Sequence, residues 1–247
     1  MKNLKYSFFF LTTILLTACG APDAPKPLSI QPVVHTAEWA VEWWGPRHEA
    51  KLLEKEQAEE PIEIVLLGDS ITHGWEAEGQ NVWDNYFGDY QTLNLGFGGD
   101  RTEHVLWRLQ DGAVDDIAPD LLMLMIGTNN TEHRLEPTDN TVLGIQTILN
   151  ELEIRLPETD ILLLAIFPRG ETTDNTERLR NEAINVSLAK MAKSERVHYR
   201  DIGAVFTQKD GTISQDIMPD LLHLSPEGYT LWAEAIKADV EKFAKQP

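Results

Sequence analysis

Cysteine is almost missing from this sequence, whose 247 residues contain only Cys19. One thiol excludes an intramolecular disulfide and a thiolate-rich zinc site, which needs several Cys or a Cys/His cluster. Basic residues are scarce too, 21 against 40 acidic ones, which leaves a formal charge of −19. Such a surface repels phosphate backbones and anionic headgroups, so nucleic-acid binding and electrostatic docking on membranes are both disfavoured. No apolar run reaches the roughly 20 residues of a membrane-spanning helix. Internal repeats and dinucleotide-binding fingerprints are also absent. What is present is 42% hydrophobic residues, an ordinary globular composition with enough chain for a sizeable core.

Lys2 and Lys5 precede the apolar stretch Phe8 to Leu16 (FFFLTTILL), which ends in small residues, the three-part layout of a secretory signal. The ending Leu16-Thr17-Ala18-Cys19 resembles the lipobox of bacterial lipoproteins, in which cleavage falls before the Cys and its sulfur carries a diacylglyceryl group. That resemblance implies a signal peptide over 1–18, lipidation at Cys19 and a place in the cell envelope, with the membrane reached through the lipid anchor only. A soluble secreted protein cleaved near Ala18 is the alternative. Residues 20–32 hold four Pro and read as an extended tether, so 19–35 is expected to link the anchor to one folded domain over 36–247. That domain begins with a charged helical extension, from Thr36 to Glu60. Its Trp39, Trp43 and Trp44 are expected to pack on the domain rather than form a ligand platform.

Beyond Glu60, apolar runs at 62–67, 92–95, 121–126 and 161–167, and a weaker one at 197–202, alternate with helical stretches around 101–111, 139–155 and 174–194. Ser225-Pro226-Glu227 opens a last helix with a Ser cap, Pro at the first position and an acid in the first turn. Continuous apolar strands are buried on both faces. The expected fold is therefore α/β, a three-layer sandwich around about five parallel strands, with ligands in the loops at the strands' carboxyl ends.

Those loops carry chemistry. The first strand ends in Gly68-Asp69-Ser70-Ile71-Thr72, where a Ser can project from a helix N-terminus or simply cap it. The second ends in Gly96-Phe97-Gly98-Gly99-Asp100, and Arg101 stands where a G-x-G-x-x-G fingerprint needs its third glycine. The third ends in Gly127-Thr128-Asn129-Asn130, and Asp220-Leu221-Leu222-His223 lies just before the last helix. Together they supply acyl transfer: Ser70 as nucleophile, His223 as proton carrier and Asp220 as the group that holds the imidazole. The Ser70 N–H, the Gly99 N–H and the Asn129 amide are candidate donors to the oxyanion. His73 and His104 read as satisfied or solvated side chains, and Arg101, His133 and Arg169 as solvated or ion-paired loop residues.

These segments resemble the blocks of the SGNH, or GDSL-type, esterase and lipase superfamily: GDSIT, the Gly before Asp100, GTNN, and D-x-x-H. The surroundings, NLGFGGDRTEHVLWRL at 94–109 and HLSPEGYTLWAEAI at 223–236, are similar to the platelet-activating-factor acetylhydrolase catalytic subunits. The resemblance covers about 60–240. It implies a flavodoxin-like fold and a serine hydrolase for carboxylic esters, short acyl groups foremost, with no metal and no cofactor. By position it matches Ser70, Asp220 and His223 to the catalytic residues, and Gly99 and Asn129 to the oxyanion donors. One departure stands out: the third block commonly ends in Asp, and here Asn130 takes its place, which bears on support of the loop. The G-x-S-x-G elbow of α/β-hydrolases is absent. Expected substrates are neutral small-molecule or glycan esters. Two other readings are a metal-dependent phosphoesterase using Asp69, Asn129 and His223, and a non-catalytic envelope lipoprotein that keeps the fold. The sequence leaves the oligomeric state open.

Overall fold

The computed structural model of the protein describes residues 25–191 and 194–244. The signal peptide, the lipidation at Cys19 and the first part of the tether fall outside the described residues. Among these residues no helix is long and apolar enough to cross a membrane.

The elements run α1 (Trp44–Glu56), β1 (Ile64–Gly68), α2 (Ser70–His73), α3 (Gln80–Phe87), β2 (Thr92–Gly96), α4 (Thr102–Gln110), β3 (Leu121–Met125), α5 (Thr128–His133), α6 (Thr138–Arg155), β4 (Asp160–Leu164), α7 (Thr176–Leu188), β5 (Val197–Arg200) and α8 (Pro226–Phe243). The five strands form one sheet in the order β2-β1-β3-β4-β5, every pairing parallel. Alternate residues feed two cores. Val65, Leu67, Leu122, Leu124, Ile161 and Leu163 pack with α4, α6 and α7. Ile64, Leu66, Leu121, Met123, Leu162 and Leu164 pack with α2, α3 and α8. Both faces being covered, the central strands β1 and β3 read as unbroken apolar runs, whereas the edge strand β5, VHYR, is only partly buried.

The chain winds outward from β1 to β2 on one side and from β3 to β5 on the other, so the topology switches between β1 and β3. A ligand crevice opens at such a switch, outside the strands' carboxyl ends. Register sets Gly68 opposite Gly96 and Met125, which brings the loops after β1, β2 and β3 side by side.

Several boundaries differ from the sequence expectation, among them the end of β5 at Arg200 and of α7 at Leu188. β4 stops at Leu164 instead of continuing to Phe167, because the Asn185 amide takes over: it accepts from Ile166 N–H at 2.8 Å and donates to Ile166 C=O at 2.8 Å. The expected helix over 36–60 shortens to α1, preceded by turns. Residues 25–35, read as tether, are folded onto α4 and α6. There Ser29 is buried, its carbonyl accepts from Thr102 Oγ1 at 2.9 Å, and Val33 N–H donates to Glu103 C=O at 3.3 Å.

Candidate active site

Ser70 is the first residue of α2, directly after the Gly68-Asp69 end of β1. The capping role falls to Asp69, whose side chain accepts from Ile71 N–H at 3.1 Å. The Ser70 hydroxyl is thereby released from helix capping. Instead it lies 2.8 Å from His223 Nε2. On the other side of the ring, His223 Nδ1 stands 2.6 Å from Asp220 Oδ2. Asp220 Oδ1 accepts from the backbone N–H groups of Leu222 at 3.0 Å and His223 at 2.7 Å, so one carboxylate fixes both the imidazole and the turn that carries it. Leu221 sits in the left-handed region at φ 62°, a conformation that costs a β-carbon residue of order 1–3 kcal/mol. The turn is held against that cost by Leu221 N–H to Met218 C=O at 2.8 Å and by Gly170 N–H to Leu221 C=O at 2.8 Å.

Burial raises the carboxyl of Asp220, but the hydrogen bonds from the His223 ring and backbone outweigh it and hold the group below the usual range. Asp69, by contrast, is enclosed, and burial pushes it up to about 7.

The second wall is the loop after β2. Gly99 turns left-handed at φ +73°, and the turn closes from Asp100 N–H to Phe97 C=O at 3.1 Å. Asn129, at the start of α5, donates from Nδ2 to Asp100 C=O at 2.9 Å, and that bond orients its amide toward the same loop. Asp100 is wholly buried. Its carboxylate accepts from Trp44 Nε1 at 2.6 Å and from Arg108 Nε and Nη2 at 3.0 and 2.7 Å, while Arg108 lies over the Phe97 ring at 4.0 Å. Burial pushes Asp100 up to about 6 against the pull of Arg108.

Beside Asn129, Asn130 accepts from Thr102 N–H at 3.1 Å and donates to Thr102 Oγ1 at 3.1 Å and Glu136 Oε1 at 2.6 Å. The amide accepts from an N–H and donates to a carboxylate at once, which an ionised Asp at this position could not do.

The remaining candidates fall as expected. His104 is buried and accepts from Arg101 N–H at 3.1 Å; burial first, then His35 and the arginines around it, lower it to about 2. Arg101 pairs with Glu103 at 2.7 Å and touches His133 at 3.5 Å; Arg169 pairs with Glu132 at 2.8 Å. Trp44 packs in the interior as expected, whereas Trp39 is 54% exposed. The Trp44–Asp100–Arg108 anchor escaped the sequence reading, since nothing in a pattern links residues 56 positions apart. Among the described residues no three His, Cys, Asp or Glu side chains are grouped as a metal site requires.

The profile of a family described as "GDSL-like Lipase/Acylhydrolase" matches residues 66–231. The chain is 35% identical over 211 residues to human platelet-activating factor acetylhydrolase IB subunit alpha1, covering 84% of each. It is 35% identical over 190 residues to the rat alpha2 subunit, covering 75% of this chain and 78% of that one. Its fold is similar to that of a GDSL-like lipase from Bacteroides thetaiotaomicron, at TM-score 0.66 and 18% identity, over 79% of this chain and 97% of that one.

Proposed function

Given that the chain belongs to the GDSL-like lipase/acylhydrolase family and is a carboxylic-ester hydrolase, we propose that it works through a Ser70–His223–Asp220 triad on short acyl esters, acetyl esters above all. The observation that carries this reading is the single imidazole that bridges the Ser70 hydroxyl and the Asp220 carboxylate.

In the proposed cycle Ser70 Oγ attacks the ester carbonyl carbon while His223 Nε2 takes the hydroxyl proton. Asp220 keeps the imidazole in the tautomer with Nδ1–H and stabilises the imidazolium. Charge gathers on the former carbonyl oxygen, facing the Ser70 N–H, the Gly99 N–H and the Asn129 amide. The C–O bond breaks, His223 returns the proton to the departing alcohol, and water repeats the sequence to release the acid. Acetyl is supported by the acetylhydrolase relatives, which are 34% or more identical over most of this chain. A net charge of −19 favours neutral substrates.

Ser70→Ala is expected to abolish both hydrolysis of phenyl acetate and labelling by a fluorophosphonate, with the melting temperature unchanged within about 2 °C. Full activity in that variant would overturn the nucleophile assignment.

A further inference from the structure

We propose that Trp39 and Trp43 form an aromatic rim that receives the alcohol part of a neutral ester, the pyranose ring of an O-acetylated sugar. This rests on the serine-hydrolase reading above and adds the residues that choose the substrate.

Both indoles lie along the Gly98-Gly99 loop. A β-carbon on Gly99 would collide with the benzo edge of Trp39, and one on Gly98 would stand 3.3 Å from Trp43 Cη2. The absence of two side chains is what lets two large rings border the proposed oxyanion donor. The Trp43 ring is stacked 6.3 Å from that of Trp39 and lies 6.1 Å from that of His73, three residues beyond Ser70 on α2. The row therefore runs from the Gly99 donor to the helix of the nucleophile. It is also held in place: Trp43 Nε1 donates to Trp39 C=O at 3.0 Å, and His35 packs edge-on to Trp39 at 4.8 Å. A scattered exposed Trp needs no explanation. One fixed at 54% exposure against the loop that would hold the reacting carbonyl offers a preformed apolar face.

Charge selects among ligands. Burial first, then Arg47 and Lys51, lower His73 to about 4, so the rim is uncharged at neutral pH. Arg47 and Lys51 beside His73 are paired with Glu76 and Glu54, and Arg101 beside His35 with Glu103, so those carboxylates are already engaged and offer no free charge to a quaternary ammonium group. The charge of −19 disfavours an anionic ester at long range. A neutral ring with one apolar face and hydroxyl edges meets neither objection.

The test compares wild type, Trp39→Ala, Trp39→Gln and Trp39→Phe on three substrates: methyl tri-O-acetyl-xylopyranoside, ethyl acetate and acetylcholine. Loss of one aromatic face should cost about tenfold in kcat/KM on the pyranoside, carried by KM. Ethyl acetate should change less than about twofold in every variant, and Trp39→Phe should recover most of the pyranoside rate. Equal losses on the pyranoside and ethyl acetate would make Trp39 a support of the loop and overturn the rim. So would no loss on either, or a loss confined to acetylcholine. Trp39→Gln keeps bulk without the ring, so a folded variant remains if Trp39→Ala melts. Should Ser70→Ala still cleave ethyl acetate at the wild-type rate, the triad reading fails whatever Trp39 does.

Discussion

Asn130 is surrounded by groups that demand opposite things of it. Its Oδ1 meets a backbone N–H and its Nδ2 meets the Glu136 carboxylate, with Glu103 Oε2 at 3.5 Å. Arg134 already pairs with both of those acids. An Asp at this position keeps the first contact and turns the second into a buried carboxylate pair. Loss of a hydrogen bond to a buried carboxylate costs about 1.5–3 kcal/mol, and the like-charge repulsion adds to it. Asn130→Asp should therefore lower the urea midpoint sharply at pH 8. Like charge and burial raise the new carboxyl's folded pKa, so the proton binds more tightly in the folded state. The penalty should shrink as pH falls toward 5. A midpoint deficit equal at both pH values would show that position 130 does not sense its neighbours' charge.

At the scale of elements, α1 reaches the Asp100 anchor through Trp44. Its indole is one of the donors that hold the Asp100 carboxylate, and the carbonyl of Asp100 orients Asn129. Trp44→Phe retains the packing against Phe97, whose ring centroid is 5.8 Å away, and deletes the donor. Removing one hydrogen bond to a buried charge costs about 1.5–3 kcal/mol. If the anchor also positions the oxyanion donors, kcat on phenyl acetate should fall severalfold while KM holds. A drop in melting temperature with kcat intact would confine Trp44 to stability. This link shows where sequence reading runs out. The central strands were legible because burial on both faces writes them as apolar runs, and the convergence of Ser70, Asp220 and His223 because each stands just beyond a strand or just before a helix. Helix α3 was missed: only Val82, Trp83 and Phe87 are buried in its eight residues, too short a stripe to show a period. Residues 25–35 looked like tether because they attach through backbone carbonyls, a small Ser29 and a ring–ring contact of His35 with His104 at 4.3 Å, none of which writes an apolar pattern.

Over the whole molecule, charge acts on two ranges. The cations near the site carry carboxylate partners: Arg47 meets Glu76, Lys51 meets Glu54 and Glu76, Arg101 meets Glu103, and Arg169 meets Glu132. Seen from a distance each pair is nearly neutral, so what an approaching substrate senses is the excess of 40 acidic over 21 basic residues. That field reaches about 30 Å at 0.01 M salt and about 8 Å at 0.15 M. It slows the encounter with an anion and leaves a neutral molecule unaffected. Phenyl acetate and acetylsalicylate carry the same acyl group on a phenol and differ by one carboxylate. Raising salt across that range should leave kcat/KM for phenyl acetate flat and raise it severalfold for acetylsalicylate, with kcat for both unchanged. A salt-independent rate on acetylsalicylate would mean that the paired cations at the crevice, rather than the net charge, govern approach to Ser70.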